Sequence, residues 1–326
     1  MVQVVQVGTA SAAPGQRGIG FLEVLELSDG TPVNVPVIVA NGRRRGPTLW
    51  IECAMHGNEV ASVYGLLQTL KEIDPTRLRG TLIAVPVMNI IGYNLHVKNL
   101  APLEATDWWG LFTAFPGNPE GSFTERYAHA IYETIKRSKA DYVVDAHGVY
   151  ASGGGNAVDY VYYNGEAKVA DKSRELAKSS GFEVILEVGS SGLLNGALFN
   201  AIARDGIPAI CSETDKAPKA HQAFTNFLKH LGMIEGKPTL AIQQTLYRDP
   251  TPTRRGVSVN RGGLLYPKVE EKDEVSRGQL LAVVSNLFGE EVEKVISPTD
   301  GFVILCEGAY PVKPGDTVFQ IVKPRR

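Results

Sequence analysis

The feature that most narrows the fold of this chain is a change of rhythm near residue 249. Before it, short apolar runs at 33–39, 48–53, 81–87, 142–145, 159–163, 183–187 and 209–213 read as strands. They alternate with helical patterns at 60–73, 124–138, 167–179, 194–204 and 217–231. Such alternation predicts an α/β sheet with helices on both faces. Ser122 with Glu125 three residues on has the form of a capping box, which sets a helix start near Phe123. Pro250-Thr251-Pro252-Thr253 then breaks any helix and reads as a linker. Beyond it, strand-like runs alternate with turns such as Gly262-Gly263, Asp300-Gly301 and Pro314-Gly315-Asp316. The chain thus divides into an α/β domain over 1–249 and an all-β module over 250–326.

A chain of 326 residues can bury a large core and still form a second module. Its formal charge of −2 gives no reason to expect nucleic acid or a membrane surface as partner. Cys53, Cys211 and Cys306 are far apart, each in an apolar run, and read as buried free thiols. The first residues lack the basic region and apolar stretch of a signal peptide. No apolar segment reaches membrane-spanning length. A cytoplasmic location is the expectation.

Two motifs carry the chemistry. His56-Gly57-Asn58-Glu59 follows the strand at 48–53, and Asp145-Ala146-His147-Gly148 ends the strand that begins at 142. Two imidazoles and a carboxylate are the ligand set of a catalytic zinc whose fourth position stays open. Both motifs fall at strand ends, where open α/β sheets gather their ligands. His56 and Glu59, three apart at a helix start, can point to one side. A glycine after each histidine allows close backbone approach. Asp145 shares a face with His147 on an extended segment, and either orients that ring or plays a structural part. By spacing alone, ordinary hydrogen-bonded histidines fit as well. Glu213 and Asp215, at the end of the strand 209–213, are both available as a general base.

In this order, His56-Gly-Asn-Glu59, Asp145-Ala-His147-Gly148 and Glu213 resemble the succinylglutamate desuccinylase/aspartoacylase family of zinc amidohydrolases, related in fold to zinc carboxypeptidases. The resemblance runs from about Gly20 to Pro324. It implies a zinc-exopeptidase-like mixed sheet flanked by helices, with a small C-terminal all-β, barrel-like domain. Phrases such as Ser297-Pro-Thr-Asp-Gly301 and Lys313-Pro-Gly-Asp-Thr-Val318 resemble biotinyl/lipoyl modules. No Met-Lys-Met or Asp-Lys-Ala carrier hairpin is present, so the module is expected to cap the catalytic cleft.

The resemblance further implies one Zn2+ per chain on His56, Glu59 and His147, which would bring a bound water's pKa toward neutrality. It favours Glu213 over Asp215 as base, because the family's base follows a Gly-Ile-Pro-like phrase, here Gly206-Ile207-Pro208. Lys98, nine residues after Asn89, takes the place of a family arginine and keeps its charge without the bidentate fork. Asn89 either binds substrate or supports that loop. The family's Asp-Leu-Asn-Arg before Phe-Pro-Gly is replaced by Asp107-Trp108-Trp109-Gly110 before Phe115-Pro116-Gly117. Trp108 and Trp109 are either core or an aromatic wall for an apolar or cationic substrate portion. Arg126 is a further charge for the substrate or a solvated helix residue.

The reading that follows is a zinc-dependent deacylase for a small N-acylated amino acid or amine, with no nucleic-acid or membrane partner and room for a homo-oligomer. Without the Asn-Arg pair it suits dicarboxylates poorly. A carboxypeptidase-like zinc metallopeptidase and a non-catalytic, metal-containing binding protein are the alternatives.

Overall fold

The computed structural model of the protein describes residues 3–98, 110–148, 156–190, 192–240, 243–248 and 255–322. Trp108, Trp109, Gly153 to Gly155 and the Pro250-to-Thr253 linker lie outside the described residues. A small hairpin, β1 (Val5–Val7) with β2 (Ala10–Ala12), precedes the long antiparallel pair β3 (Gln16–Glu26) and β4 (Pro32–Asn41). Then follow β5 (Arg44–Cys53), α1 (Ala61–Glu72), β6 (Arg79–Val85), α2 (Ile90–Leu95), α3 (Phe123–Arg137) and β7 (Tyr142–His147). After the short β8 (Asn156–Ala157) come β9 (Tyr160–Asn164), α4 (Ala170–Ser179), β10 (Val184–Val188), α5 (Leu198–Arg204), β11 (Ala209–Glu213), α6 (Ala217–His230) and β12 (Thr245–Arg248).

Nine of these strands make one mixed sheet, in the order β12-β10-β9-β11-β7-β5-β6-β4-β3. Its two faces are covered separately. Trp50, Val143 and Cys211 pack with Tyr127, Ile131 and Ile135 of α3 and with Leu198, Phe199 and Ile202 of α5. The alternate residues Ile51, Val144 and Ile210 face the other way, onto α1, α4 and α6. The period-two side-chain alternation of the strands therefore builds two cores. α3 starts where the sequence places it. Ser122 accepts from the Glu125 amide, and the Glu125 carboxylate accepts from the Ser122 amide at 2.8 Å. Its last turn carries Lys136 and Arg137, the favourable charge for a helix C-terminus.

The region after residue 254 is all-β. One sheet runs through Arg255–Ser258, Thr317–Val322, Gly301–Cys306 and Glu274–Val275. A second runs through Glu291–Ile296, Leu280–Ser285, Gly263–Pro267 and Pro311–Val312. Leu265, Leu281, Val284, Val303, Phe319 and Ile321 form their common core. The α/β part reaches into this region, because β8 pairs with Gly301–Cys306, setting Ala157 opposite Leu305. Lys272 pairs with Glu183 at 2.9 Å, and Phe302 stacks on Tyr247 of β12 at 6.4 Å. These contacts fasten the C-terminal region to the β10–β12 edge. All three cysteines are free and buried, as expected. No helix among the described residues is long and apolar enough to cross a membrane.

α1 crosses α6 so closely that a Cβ on Gly65 would lie 2.6 Å from the Ala220 Cβ and 2.7 Å from the His221 amide nitrogen. Two effects compete in Gly65→Ala. Helix propensity favours alanine by about 1 kcal/mol, whereas overpacking a tight contact costs about 1–3 kcal/mol. Backbone atoms on the far side cannot yield cheaply, so Gly65→Ala should lower the melting temperature; a rise would show that the crossing has room.

Candidate metal centre

β7 is flanked by two strands parallel to it, β5 and β11. Because all three run the same way, their carboxyl ends meet at one edge of the sheet. Register then decides which side chains are neighbours: Glu52 stands beside Asp145, Cys211 beside Asp145, and Glu213 beside His147. The chain leaves β5 through Ala54, held at φ 50°, and the amides of Met88 and Asn89 donate to the Cys53 and Ala54 carbonyls. A tight turn follows, in which the Glu59 amide donates to the His56 carbonyl at 3.0 Å. Gly57 is required here, since a Cβ would sit 2.0 Å from the carbonyl carbon of Gly92.

The turn brings His56 and Glu59 against His147. His56 Nδ1 lies 2.7 Å from Glu59 Oε1, His147 Nδ1 lies 3.1 Å from Glu59 Oε2, and the two Nδ1 atoms are 3.3 Å apart. The Gly148 amide donates to Glu59 Oε2 at 3.0 Å. All three residues are buried, and together they form a group able to hold a metal ion. On its far side, His147 Nε2 is 2.7 Å from Asp145 Oδ1, off the line of a straight N–H···O bond.

The donor set fits a divalent cation. Two ligand nitrogens bound at about 2.0–2.1 Å with a tetrahedral angle stand roughly 3.3 Å apart, which is the Nδ1–Nδ1 separation found. The electrostatics ask for positive charge at the same point. Burial raises the Glu59 carboxyl, yet the charge of His56 and hydrogen bonds from both imidazoles outweigh it and leave it below the usual carboxylate range. Burial lowers His147, but Asp145 and Glu59 more than reverse this and hold the ring well above the usual histidine range. His56 goes the other way: burial depresses it, and Glu59 offsets only part of the effect.

Glu213 is 8 % exposed and accepts from the Tyr162 hydroxyl at 3.0 Å. Asp215, its rival in the sequence, is exposed and lies 3.9 Å from the Lys216 ammonium. Glu213 alone of the two sits in register with His147. Lys98 is half-buried, and its charge opposes protonation of His56; its carbonyl also accepts from Gly57. Asn89 is fully buried; its side chain caps α2 by accepting from the Gly92 amide at 2.8 Å, and its amide nitrogen lies 3.5 Å from the Lys98 carbonyl, which supports that loop. Arg126 is exposed and donates to the Gly121 carbonyl at 2.8 Å, and no contact among the described residues joins it to the cluster. His96 is exposed, in a left-handed conformation at the end of α2.

Two members of the site went unnoticed in the sequence. Phe112 packs its ring 5.3 Å from His147, edge to face, and 5.7 Å from His56. Tyr162 reaches Glu213 from β9, an antiparallel neighbour of β11. Neither has a local signal; only the alternation that turns Tyr160 and Tyr162 to one face of β9 could have suggested the second.

Comparison with known proteins bears on the family and the fold. Residues 45–192 match the family model described as the succinylglutamate desuccinylase/aspartoacylase catalytic domain. The N-alpha-acetyl-L-2,4-diaminobutyric acid deacetylase of Halomonas elongata is 26% identical over 321 residues, covering 93% of this chain and 91% of that protein. Two solved structures share the fold. The succinylglutamate desuccinylase/aspartoacylase from Rhodobacter sphaeroides superposes with a TM-score of 0.80 at 20% identity, covering 95% of this chain and 96% of that one. The product-bound ectoine utilization protein EutE (DoeB) from Ruegeria pomeroyi gives 0.79 at 22% identity, covering 94% and 95%. The resemblance drawn from the sequence therefore holds: residues 45–192 match the catalytic-domain model of the succinylglutamate desuccinylase/aspartoacylase family, and the fold is shared along nearly the whole chain.

Proposed function

We propose that the protein is a zinc-dependent amidohydrolase that removes the acyl group from a small N-acylated amino acid or amine. The observation that carries this reading is the meeting of His56, Glu59 and His147 at the end of β5 and β7, with Glu213 in register beside His147. These three residues would hold the zinc. When bound there, the ion supplies Lewis-acid activation of water and of the amide carbonyl. Glu213 takes the proton from the attacking water and returns it to the departing nitrogen. The Tyr162 hydroxyl, donating to Oε1, fixes the plane of that carboxylate. Lys98 places a positive charge near His56 that can face the oxygen of the tetrahedral intermediate. Division of the chain at 249/250 belongs to the same proposal, with the C-terminal region capping the catalytic part.

The substrate's amine portion is read as neutral or cationic. Phe112 lies against both histidines, and in the sequence Trp108 precedes Trp109-Gly110, which stand where the family has its Asn-Arg pair. An aromatic wall suits an apolar or cationic group and gives a carboxylate nothing to pair with. The name of the Halomonas relative supports a cationic group in the amine portion, since its substrate bears a free amine beside the acetylated one; that substrate also carries a single carboxylate, one fewer than the dicarboxylates.

Glu213→Gln keeps the size of the side chain but cannot carry a proton. Turnover should fall by about a hundredfold or more while bound metal is unchanged; wild-type turnover in this variant would move the base elsewhere. On specificity, losing a charge-assisted carboxylate contact costs on the order of 2–5 kcal/mol, or tens to thousands of fold in rate. Specificity constants for N-acetylaspartate and N-succinylglutamate should therefore be well below those for N-acetyl compounds with neutral or cationic amine portions. A tenfold preference for either dicarboxylate would remove the aromatic-wall reading.

A further inference from the structure

Glu52 has no part in the chemistry described above, yet it is the most anomalous residue beneath the site. It is the next-to-last residue of β5, 1 % exposed, in an apolar run on the same strand face as Trp50. Both of its carboxyl oxygens, and both of Asp145, are buried without a straight hydrogen bond. Parallel register puts the two acids side by side on neighbouring strands. Two buried carboxyls in contact cannot both ionise, and an uncompensated buried carboxylate costs several kcal/mol. One proton must therefore remain on the pair. Asp145 has a partner that can carry positive charge, His147 Nε2, at 2.7 Å. Glu52 pairs with no cation among the described residues. Burial first, and the Asp145 charge second, push the Glu52 carboxyl well above the usual carboxylate range.

We propose that Glu52 is a positioning residue: its carboxyl O–H donates to Asp145, and through Asp145 it holds the His147 ring with Nδ1 turned toward His56 and Glu59. The resulting chain, Glu52–Asp145–His147, satisfies polar groups that otherwise lack partners. It extends the support of a metal-binding histidine one residue deeper than a lone carboxylate would. The proposal rests on the metal-site reading above, in that the ring it fixes is a ligand. Its rival uses the same residues differently, because Asp145, His147 and Cys211 also lie close enough to share a cation. In that case Glu52 would be an additional ligand, and His147 Nε2 would carry no hydrogen.

The experiment compares wild type with Glu52→Gln, which keeps a donor to Asp145, and Glu52→Leu, which keeps the bulk and removes the donor. Zinc affinity is read by chelator competition and stoichiometry by elemental analysis. Wild type should bind one zinc; Gln should stay within about threefold of its affinity, and Leu should lose tenfold to a hundredfold. The metal-free Leu variant should melt lower than wild type, because a buried Asp145 oxygen loses its donor, so zinc affinity is read well below its melting temperature, where a loss reports positioning and not unfolding. Equal affinities for Gln and Leu would overturn the donor role, and two zincs in wild type falling to one in Gln would establish the rival. The metal-free protein gives an independent reading by NMR: the His147 Nε2–H resonance should persist in Gln and be lost in Leu. If wild type bound no zinc, the metal site would fall, and this resonance alone would still decide for or against Glu52; its survival in Leu would end the proposal.

Discussion

Everything at this centre depends on three strands being parallel. β5, β7 and β11 run side by side in one direction, so their last residues cannot avoid one another. A mixed sheet with an antiparallel strand at either of these places would send His56 or Glu213 to the opposite edge. The antiparallel β9 joins beyond β11, and its contribution differs in kind: Tyr162 comes from within that strand and supports Glu213 from the side. The helices on the two faces then exclude water from the sheet, and polar side chains at the strand ends must find partners among themselves.

Burial of the site has an electrostatic consequence. Glu59 and Asp145 lie on either side of one imidazole, both removed from solvent. Each carboxylate can remain charged in such a place only beside a cation. A proton on His147 supplies one in the metal-free protein, and a divalent ion between the Nδ1 atoms would supply more. Backbone groups complete the arrangement. The Gly148 amide bonds Glu59, while Gly57 lets the His56 turn come against Gly92.

Much of this is legible in the sequence because it is encoded locally. The ligand motifs stand immediately after apolar runs, β11 has the bounds that its pattern gives, and the α3 cap is a four-residue signal. Glu213 becomes distinguishable from Asp215 only when the β7–β11 register is known. Other features are long-range and leave no local mark. Phe112 meets the histidines across more than 30 residues of chain, and Glu52 looks like an interruption of a strand until Asp145 is set beside it. The edge strand β3 and the one-and-a-half turns of α2 carry weak patterns, since half-exposed or very short elements bury too little to show a period. The change of composition near 249/250 is visible, but the pairing of β8 with Gly301–Cys306 crosses it, with Ala157 set opposite Leu305, and no local sequence pattern announces so distant a pairing.

The account stands or falls on which atoms hold the metal. X-ray absorption at the zinc edge of the zinc-loaded protein reads this directly. It should show two imidazole nitrogens and oxygen donors at about 2.0–2.2 Å, with no sulfur shell. A sulfur scatterer at about 2.3 Å would place the ion by Cys211, on the far side of His147, and would contradict the His56–Glu59–His147 centre.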